Sequence, residues 1–135
     1  YAPGLKCIAL ENVPEFAPIA RIAYEKGGHN PVDLRIGANK ELLPQALEDL
    51  KQVDFVFFNT LYEQPDNVWL FNECTKYVHD GSLFVFEGIK TNQKMREFWK
   101  EICARPEVTV TIALYSMGIV FFNKKLHKRN YIVYF

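Results

Sequence analysis

The chain has 135 residues, of which 49% are hydrophobic and 15% aromatic, which is enough for one buried core and too apolar for a disordered segment. Sixteen basic and sixteen acidic side chains cancel, which excludes a general nucleic-acid binder and favours a small-molecule or protein partner. No segment reaches the roughly 18 to 20 apolar residues that span a bilayer, so we expect no membrane partner.

Two strand-and-helix units open the chain. A short apolar strand over residues 5–10 is followed by apolar side chains at helical spacing, until the glycines at 27–28 stop the helix. Residues 32–36 predict a second strand, polar on one side and therefore close to a sheet edge, and Gly37 closes it. The next helix has one apolar face, with Asn39 as its predicted N-cap.

Two later strands are apolar at every position. Residues 55–58 run into Asn59, and residues 83–86 run into Glu87. A strand without alternation is expected to be covered on both faces, which is typical of parallel strands between two layers of helices. Ligands of such sheets bind beyond the carboxyl ends of the strands, so we expect Asn59 and Glu87 to lie at a site.

Helices are predicted between these two strands and after the second, and three more strands follow at 108–114, 118–122 and 131–135. No helix separates these last strands, so we expect them to pair antiparallel. The order predicts an α/β fold in which parallel strands flanked by helices end in an antiparallel hairpin or meander. Because no linker or repeat interrupts the sequence, we expect a single domain over residues 1–135.

Other features carry weaker chemical signals. The chain has three widely spaced cysteines: Cys7, Cys74 and Cys103. Each lies within an apolar pattern, which indicates reduced core thiols and a cytoplasmic protein. His29 and His79 are predicted to follow helices, with no triad or metal partner in the pattern. The basic run 123–130 is most simply a solvated hairpin loop, and an acidic or phosphate-bearing partner is the alternative.

This order of elements resembles the class I S-adenosylmethionine-dependent methyltransferases, particularly their small-molecule O-methyltransferase-like branch. The stretches that carry the likeness span nearly the whole chain: residues 8–11, 53–59, 82–89, 98–99, 108–111 and 117–122. The resemblance implies a Rossmann-like sheet, S-adenosylmethionine as the cofactor, and methyl transfer to a small-molecule substrate.

The same resemblance assigns roles to residues at the strand ends. Glu11, with Asn12 beside it, matches the acidic residue that accepts hydrogen bonds from the ribose hydroxyls, a task that suits the two oxygens of a carboxylate. Gly37 and Ala38 match the turn beside the adenine, where Ala38 replaces an acidic or amide side chain. Asn59 matches the end of the fourth strand and is expected to take part in binding the cofactor. The alternatives are a solvated acid near a helix N-terminus for Glu11 and an ordinary turn glycine for Gly37.

Metal-dependent relatives carry acidic residues where this chain has Asn59 and Glu87. Hard cations need several converging oxygen ligands, and only Glu87 is a carboxylate here, so we expect no metal site. Two roles are open for Glu87. It is either a general base toward a substrate hydroxyl, for which burial would have to raise its pKa, or a solvated acid at a strand end.

The family's first strand and its glycine-rich loop have no counterpart in this sequence, so we interpret the chain as a truncated domain, either a fragment or a natural form. In the family that strand lies in the middle of the sheet, and its loss would leave two buried edges unpaired. We expect either that these edges pair directly or that a second copy closes the gap, which makes a homodimer the expected assembly.

Two other classes of protein compete with a methyltransferase. One is a non-enzymatic binding or oligomerisation module that keeps the fold and lacks the cofactor cleft. The other is a receiver-like signalling domain, which needs a phosphate-accepting Asp at the end of a central strand. The candidate position holds Asn59, so the receiver-like domain ranks last.

Overall fold

A computed structural model of the chain describes residues 4–27, 32–59 and 67–134. The chain divides into two compact units, Tyr1–Lys51 and Gln52–Phe135, each with a sheet of its own. The predicted α/β architecture is confirmed, because parallel strands alternate with helices in both units. None of the described helices combines the length and apolar character that a membrane crossing requires.

The first unit is a parallel pair of strands with two helices. Its elements are, in chain order, β1 (Cys7–Glu11), a short 3₁₀ turn (Pro14–Phe16), α1 (Ala17–Gly27), β2 (Val32–Ile36) and α2 (Asn39–Leu50). In the register of the pair, Glu11 stands opposite Ile36. Arg35 of β2 bonds Asp49 of α2 at 2.5 Å, and this hydrogen bond lowers the pKa of the Asp49 carboxyl. The polar side of β2 is therefore tied to the helix that follows it.

The N-cap of α2 is Ala38, and the prediction of Asn39 was wrong. Ala38 has an extended backbone, and its carbonyl accepts hydrogen bonds from the N–H groups of Glu41 and Leu42, both at 3.0 Å. Gly37 turns the chain with a φ of +151°, so the helix begins one residue earlier than the side-chain pattern indicated. As an alanine, the cap residue provides no side-chain acceptor.

The described part of the second unit is a five-stranded mixed sheet with two helices. Its elements are β3 (Val53–Phe58), α3 (Asn67–Thr75), β4 (Val78–Glu87), α4 (Gln93–Ala104), β5 (Val110–Ala113), β6 (Met117–Phe121) and β7 (Arg129–Ile132). The strand order is β3-β4-β6-β5-β7. β3 and β4 run parallel, while β6 is antiparallel to both β4 and β5.

The last strand does not complete an antiparallel meander. β7 pairs parallel with β5, on the side of β5 away from β6, so the chain crosses over β5 to reach it. The crossing is fixed by side chains within the basic run. Lys128 donates to the carbonyls of Arg105 and Val108, at 2.5 and 3.0 Å. Asn130 accepts from the Thr111 hydroxyl at 2.8 Å. The run is therefore a crossover with specific contacts, and the hairpin interpretation was wrong.

Aromatic side chains form the core between the sheet and its helices. Phe84 and Phe86 of β4 are both 0% exposed. The ring of Phe71, from α3, meets both of them, at centroid distances of 6.0 and 6.2 Å, and Phe98 of α4 lies 5.6 Å from Phe86. Asn92 caps α4 by accepting from the Met95 N–H at 2.9 Å. One face of this sheet is thus closed by both helices.

The strand β3 is not covered on both faces as predicted. Phe58 stacks on Phe86 at 4.4 Å, but Phe55 and Phe57, which point the other way, are 58% and 50% exposed. Among the described residues, β3 pairs only with β4, and β1 pairs only with β2. β1 and β3 belong to different units, so the two alternatives for their free edges, direct pairing or a second copy of the chain, both stay predictions. An apolar strand indicates that both of its faces are suited to burial. It does not reveal whether helices cover one face of the sheet or both.

β4 begins several residues earlier than the apolar run. Its first residues hold a small polar cluster in which the buried Ser82 hydroxyl donates to the Val53 carbonyl at 2.6 Å. The same oxygen accepts from the His79 N–H at 2.8 Å. The His79 ring accepts from the Gly81 N–H and contacts the Asp54 carboxylate, at 3.0 and 2.9 Å. His79 is therefore a strand residue with an acidic partner, contrary to expectation, whereas His29 lies outside the described residues.

Candidate functional site

The carboxyl ends of β1 and β2 bring four of the predicted site residues to one edge. The Gly37 N–H donates to the carbonyl of Glu11 at 3.0 Å, which holds the two strand ends together. Asn12 follows Glu11 directly and is exposed, and Ala38 follows Gly37 at the start of α2. The two sequence segments that the family resemblance assigned to the nucleoside are thus neighbours across a single hydrogen bond.

The Glu11 carboxylate is oriented by a backbone N–H group two residues further along the chain. Its Oε1 atom accepts from the Val13 N–H at 2.8 Å, and the residue is half-buried. A carboxylate offers two oxygens with about four lone-pair positions, so this bond leaves capacity for further donors. The two neighbouring hydroxyl groups of a ribose could supply two such donors. The residue therefore fits the ribose-binding role, with its side chain already held in place.

The turn that faces Glu11 depends on glycine. Gly37 has a φ of +151°, and a Cβ atom added there would lie 3.4 Å from Cδ1 of Leu42. That distance is an ordinary contact, so the requirement for glycine comes from the backbone angle alone. Ala38 lacks a side-chain acceptor, and the next residue, Asn39, belongs to the first turn of α2. This edge fits recognition of a sugar diol better than recognition of a base.

A second edge lies at the carboxyl ends of β3 and β4. Phe58 pairs with Phe86 in parallel register, so Asn59 and Glu87, the residues after them, stand at the same end of adjacent strands. Asn59 is exposed and Glu87 is half-buried. Gly88 then turns the chain with a φ of +74°. The register thus places an amide and a carboxylate at the same end of adjacent strands, and the site that we expect there stays a prediction.

The turn between β5 and β6 also reaches the Glu87 end of the sheet, and the sequence pattern did not indicate this. Met117 stands opposite Glu87 in the antiparallel register, and the Ser116 carbonyl accepts from the Ile89 N–H at 3.0 Å. Tyr115, at the tip of the turn, is 85% exposed. No motif marks these residues, because only the insertion of β6 beside β4 brings them there.

Glu11 and Glu87 belong to different units, so the common cleft that we expect for Glu11, Asn59 and Glu87 stays a prediction. Within the described ranges, no three His, Cys, Asp or Glu side chains converge in a way that could hold a metal ion.

The thiols offer little for chemistry. All three cysteines are free, and burial raises the pKa of Cys74 to about 12, so this thiol stays protonated at neutral pH. Burial also raises the pKa of Cys103. Cys7 is exposed at the start of β1, which corrects its assignment to the core.

Comparison with known proteins gives the fold a family likeness. No family model matches the chain, and no curated protein matches it. An O-methyltransferase from Bacillus cereus, solved in complex with SAH, matches with a TM-score of 0.66 and 22% identity, over 89% of this chain and 64% of that one. A candidate O-methyltransferase from Klebsiella pneumoniae matches with a TM-score of 0.68 and 19% identity, over 87% of this chain and 62% of that one.

The cofactor-bound protein Rv0187 from MTB is similar too, with a TM-score of 0.70 and 16% identity, over 90% of this chain and 63% of that one. The chain therefore has a class I O-methyltransferase-like fold. It spans less than two thirds of the length of each of these three structures.

Proposed function

We propose that the chain binds S-adenosylmethionine and takes part in methyl transfer to the hydroxyl group of a small-molecule acceptor. The observation that carries this proposal is the carboxyl edge of β1 and β2, where the Val13 N–H holds the carboxylate of Glu11 and the Glu11 carbonyl accepts from the N–H of Gly37. The proposal is supported by the fold, which the chain shares with an O-methyltransferase solved in complex with SAH.

The roles of the residues follow from their chemistry. Glu11 would accept hydrogen bonds from the ribose hydroxyls, and Gly37 would let the backbone approach the nucleoside closely. When bound, the cofactor supplies an electrophilic methyl group. Glu87 would accept the proton of the acceptor hydroxyl, and Asn59, at the end of the adjacent strand, would line the cofactor site. The protein would contribute to the reaction mainly by aligning the methyl group of the cofactor with the acceptor hydroxyl.

Calorimetric titration with S-adenosylhomocysteine tests the cofactor site. Replacing Glu11 with Gln removes the charge while keeping the shape, and hydrogen bonds to a charged group are worth about 1.5 to 3 kcal/mol, so we expect at least about tenfold weaker binding. Glu15→Gln is the matched control, because Glu15 is an exposed acid in the neighbouring 3₁₀ turn. Equal affinities of the wild type and Glu11→Gln would refute the assigned role.

A second candidate is a non-enzymatic binding or oligomerisation module. It is favoured by the exposed apolar side chains of Phe55 and Phe57, which a complete enzyme domain would be expected to bury. No heat of binding with the wild-type chain would favour this candidate. A cytoplasmic location is part of the proposal for either function and is supported by the three free thiols.

A further inference from the structure

The edge that carries Glu11 also limits how a nucleoside can be recognised there. The proposed function puts the ribose diol of S-adenosylmethionine on the Glu11 carboxylate, so the base extends from the neighbouring sugar carbon toward the residues that adjoin Glu11. These residues are Asn12 and Val13 along the chain, and Gly37 and Ala38 across the turn. All of them belong to the first unit and lie within its described residues.

Several backbone groups of these residues are already engaged within the chain. The Val13 N–H donates to the Glu11 carboxylate, and the Val13 carbonyl accepts from the Phe16 N–H at 3.0 Å. The Gly37 N–H donates to the Glu11 carbonyl, and the Ala38 carbonyl accepts from two N–H groups of the first turn of α2. The strand ends and the helix thus use polar groups that could otherwise have bound the edge of a base.

The side chains of the adjoining residues do not distinguish one purine from another. Val13 and Ala38 carry apolar side chains. Asn12, beside Glu11, and Asn39, in the first turn of α2, each carry an amide that has both a donor and an acceptor. An amide can therefore complement the exocyclic amino group of adenine or, after turning, the carbonyl oxygen that replaces it in hypoxanthine. A site rejects an analogue strongly only where a polar group built for the substrate is left unpaired.

The ribose, in contrast, meets a charged and oriented acceptor. The Glu11 carboxylate is half-buried and is held by the Val13 N–H at 2.8 Å. Hydrogen bonds to a charged group are stronger than those between neutral groups, so the loss of one ribose hydroxyl should cost more affinity than a change of the base. Selectivity at this edge therefore lies with the sugar.

We propose that this site selects its nucleoside by the ribose diol and accepts purine ribonucleosides that differ in their base. Ala38 is the residue that leaves the base unselected, because it stands at the turn without a side-chain acceptor. The chemical class of ligand is a thioether of a purine ribonucleoside, with adenine and hypoxanthine accepted alike. This proposal rests on the proposed function, since it takes the ribose to lie on Glu11.

Calorimetric titration of the 135-residue chain with three probes tests the proposal: S-adenosylhomocysteine, S-inosylhomocysteine and the 2′-deoxy form of S-adenosylhomocysteine. We expect the dissociation constants of the first two to lie within about threefold of each other, because no dedicated contact distinguishes their bases. Loss of the 2′-hydroxyl should weaken binding at least about tenfold, because it removes a hydrogen bond to a charged group.

A substitution at Ala38 should create the missing selectivity. The carboxylate of Ala38→Asp would accept from the amino group of adenine and repel the carbonyl oxygen of hypoxanthine. S-adenosylhomocysteine should then bind at least about tenfold tighter than S-inosylhomocysteine. Aspartate is a favourable N-cap, so the variant should fold. Gln45→Asp is the matched control, because it adds the same charge at an exposed position farther along α2 and should leave the ratio of the two affinities unchanged.

The outcomes that would overturn the proposal can be told apart. If the wild type binds S-adenosylhomocysteine at least about tenfold tighter than S-inosylhomocysteine, the base is read, and this inference fails while the proposed cofactor stands. If S-adenosylhomocysteine does not bind, the proposed function itself fails. If Ala38→Asp is folded by circular dichroism and leaves the two affinities equal, or if Gln45→Asp shifts their ratio as much, the base does not lie beside Ala38.

Discussion

Trp99 of α4 lies directly against the backbone of Gly118 in β6. A Cβ atom built on Gly118 would come within 2.4 Å of two ring atoms of Trp99, which is closer than real side chains approach. The absence of a side chain in β6 therefore allows the helix to pack closely on the sheet.

Replacing Gly118 with Ala is expected to destabilise the fold by roughly 1 to 3 kcal/mol, because the half-buried indole of Trp99 must move. Denaturant unfolding would measure the change. Gly27→Ala is the control, since nothing lies within 4 Å of a Cβ atom at Gly27. A smaller loss for Gly118→Ala than for Gly27→Ala would mean that Trp99 relaxes without cost.

Removal of the Ser82 hydroxyl should also be costly. It is buried, donates to the Val53 carbonyl at 2.6 Å and accepts from the His79 N–H at 2.8 Å. Ser82→Ala would leave buried backbone groups without this partner, at a cost of about 1 to 3 kcal/mol in the free energy of unfolding. Ser116→Ala, on an exposed turn, should change it by less than about 0.5 kcal/mol. Equal effects would contradict the role assigned to the hydroxyl.

One substitution is expected to stabilise the chain. Ala38 stands at the N-cap of α2 without a side-chain acceptor, and its extended backbone is suited to one. Ala38→Ser should raise the free energy of unfolding of the first unit by about 0.5 to 1 kcal/mol, read as a rise in melting temperature. Gln45→Ser, at an exposed position inside the same helix, should lower it slightly. A lower melting temperature for Ala38→Ser would refute the cap assignment.

The buried thiol of Cys74 predicts that the folded state loses stability at alkaline pH. Burial raises the pKa of Cys74 from 9.0 to about 12, so the folded state keeps a proton that the unfolded state releases. The contribution of the Cys74 thiol to the free energy of unfolding is fully present below pH 9.0, and it is lost as the pH rises toward about 12. Denaturant midpoints between pH 8 and pH 11 should fall less steeply for Cys74→Ala than for Cys7→Ala, whose thiol is exposed. Parallel slopes would contradict the raised pKa.

The same thiols should differ in reactivity with a disulfide reagent at about pH 8. Cys7 is exposed and should be modified first, whereas Cys74 is buried and should react only when the chain opens. Cys7→Ser is expected to remove the fast phase, and Cys74→Ala is expected to leave it intact. A fast phase that persists in the Cys7→Ser variant would show that another thiol is the exposed one.

Hydrophobic patterns in the sequence predicted individual strands, because these depend on neighbouring residues. The apolar run through Phe84 and Phe86 indicated a buried strand. The assignment of Glu11 and Gly37 to one site came from the family resemblance; the structure joins the two residues by a backbone hydrogen bond, and their role stays a prediction. The position of β7 could not be predicted, because it depends on contacts of Lys128 with residues about twenty positions away. Exposure of Phe57 was missed because hydrophobicity does not report how many layers cover a strand.

The contacts of Lys128 have one more consequence. Its ammonium group binds the carbonyl of Arg105, just beyond the end of α4, and that of Val108, just before β5. Lys128 itself directly precedes β7. Three successive elements of the chain therefore converge on one cation. Neutralising it would release the helix terminus and the outermost strand together, so this corner of the sheet should open as one cooperative piece.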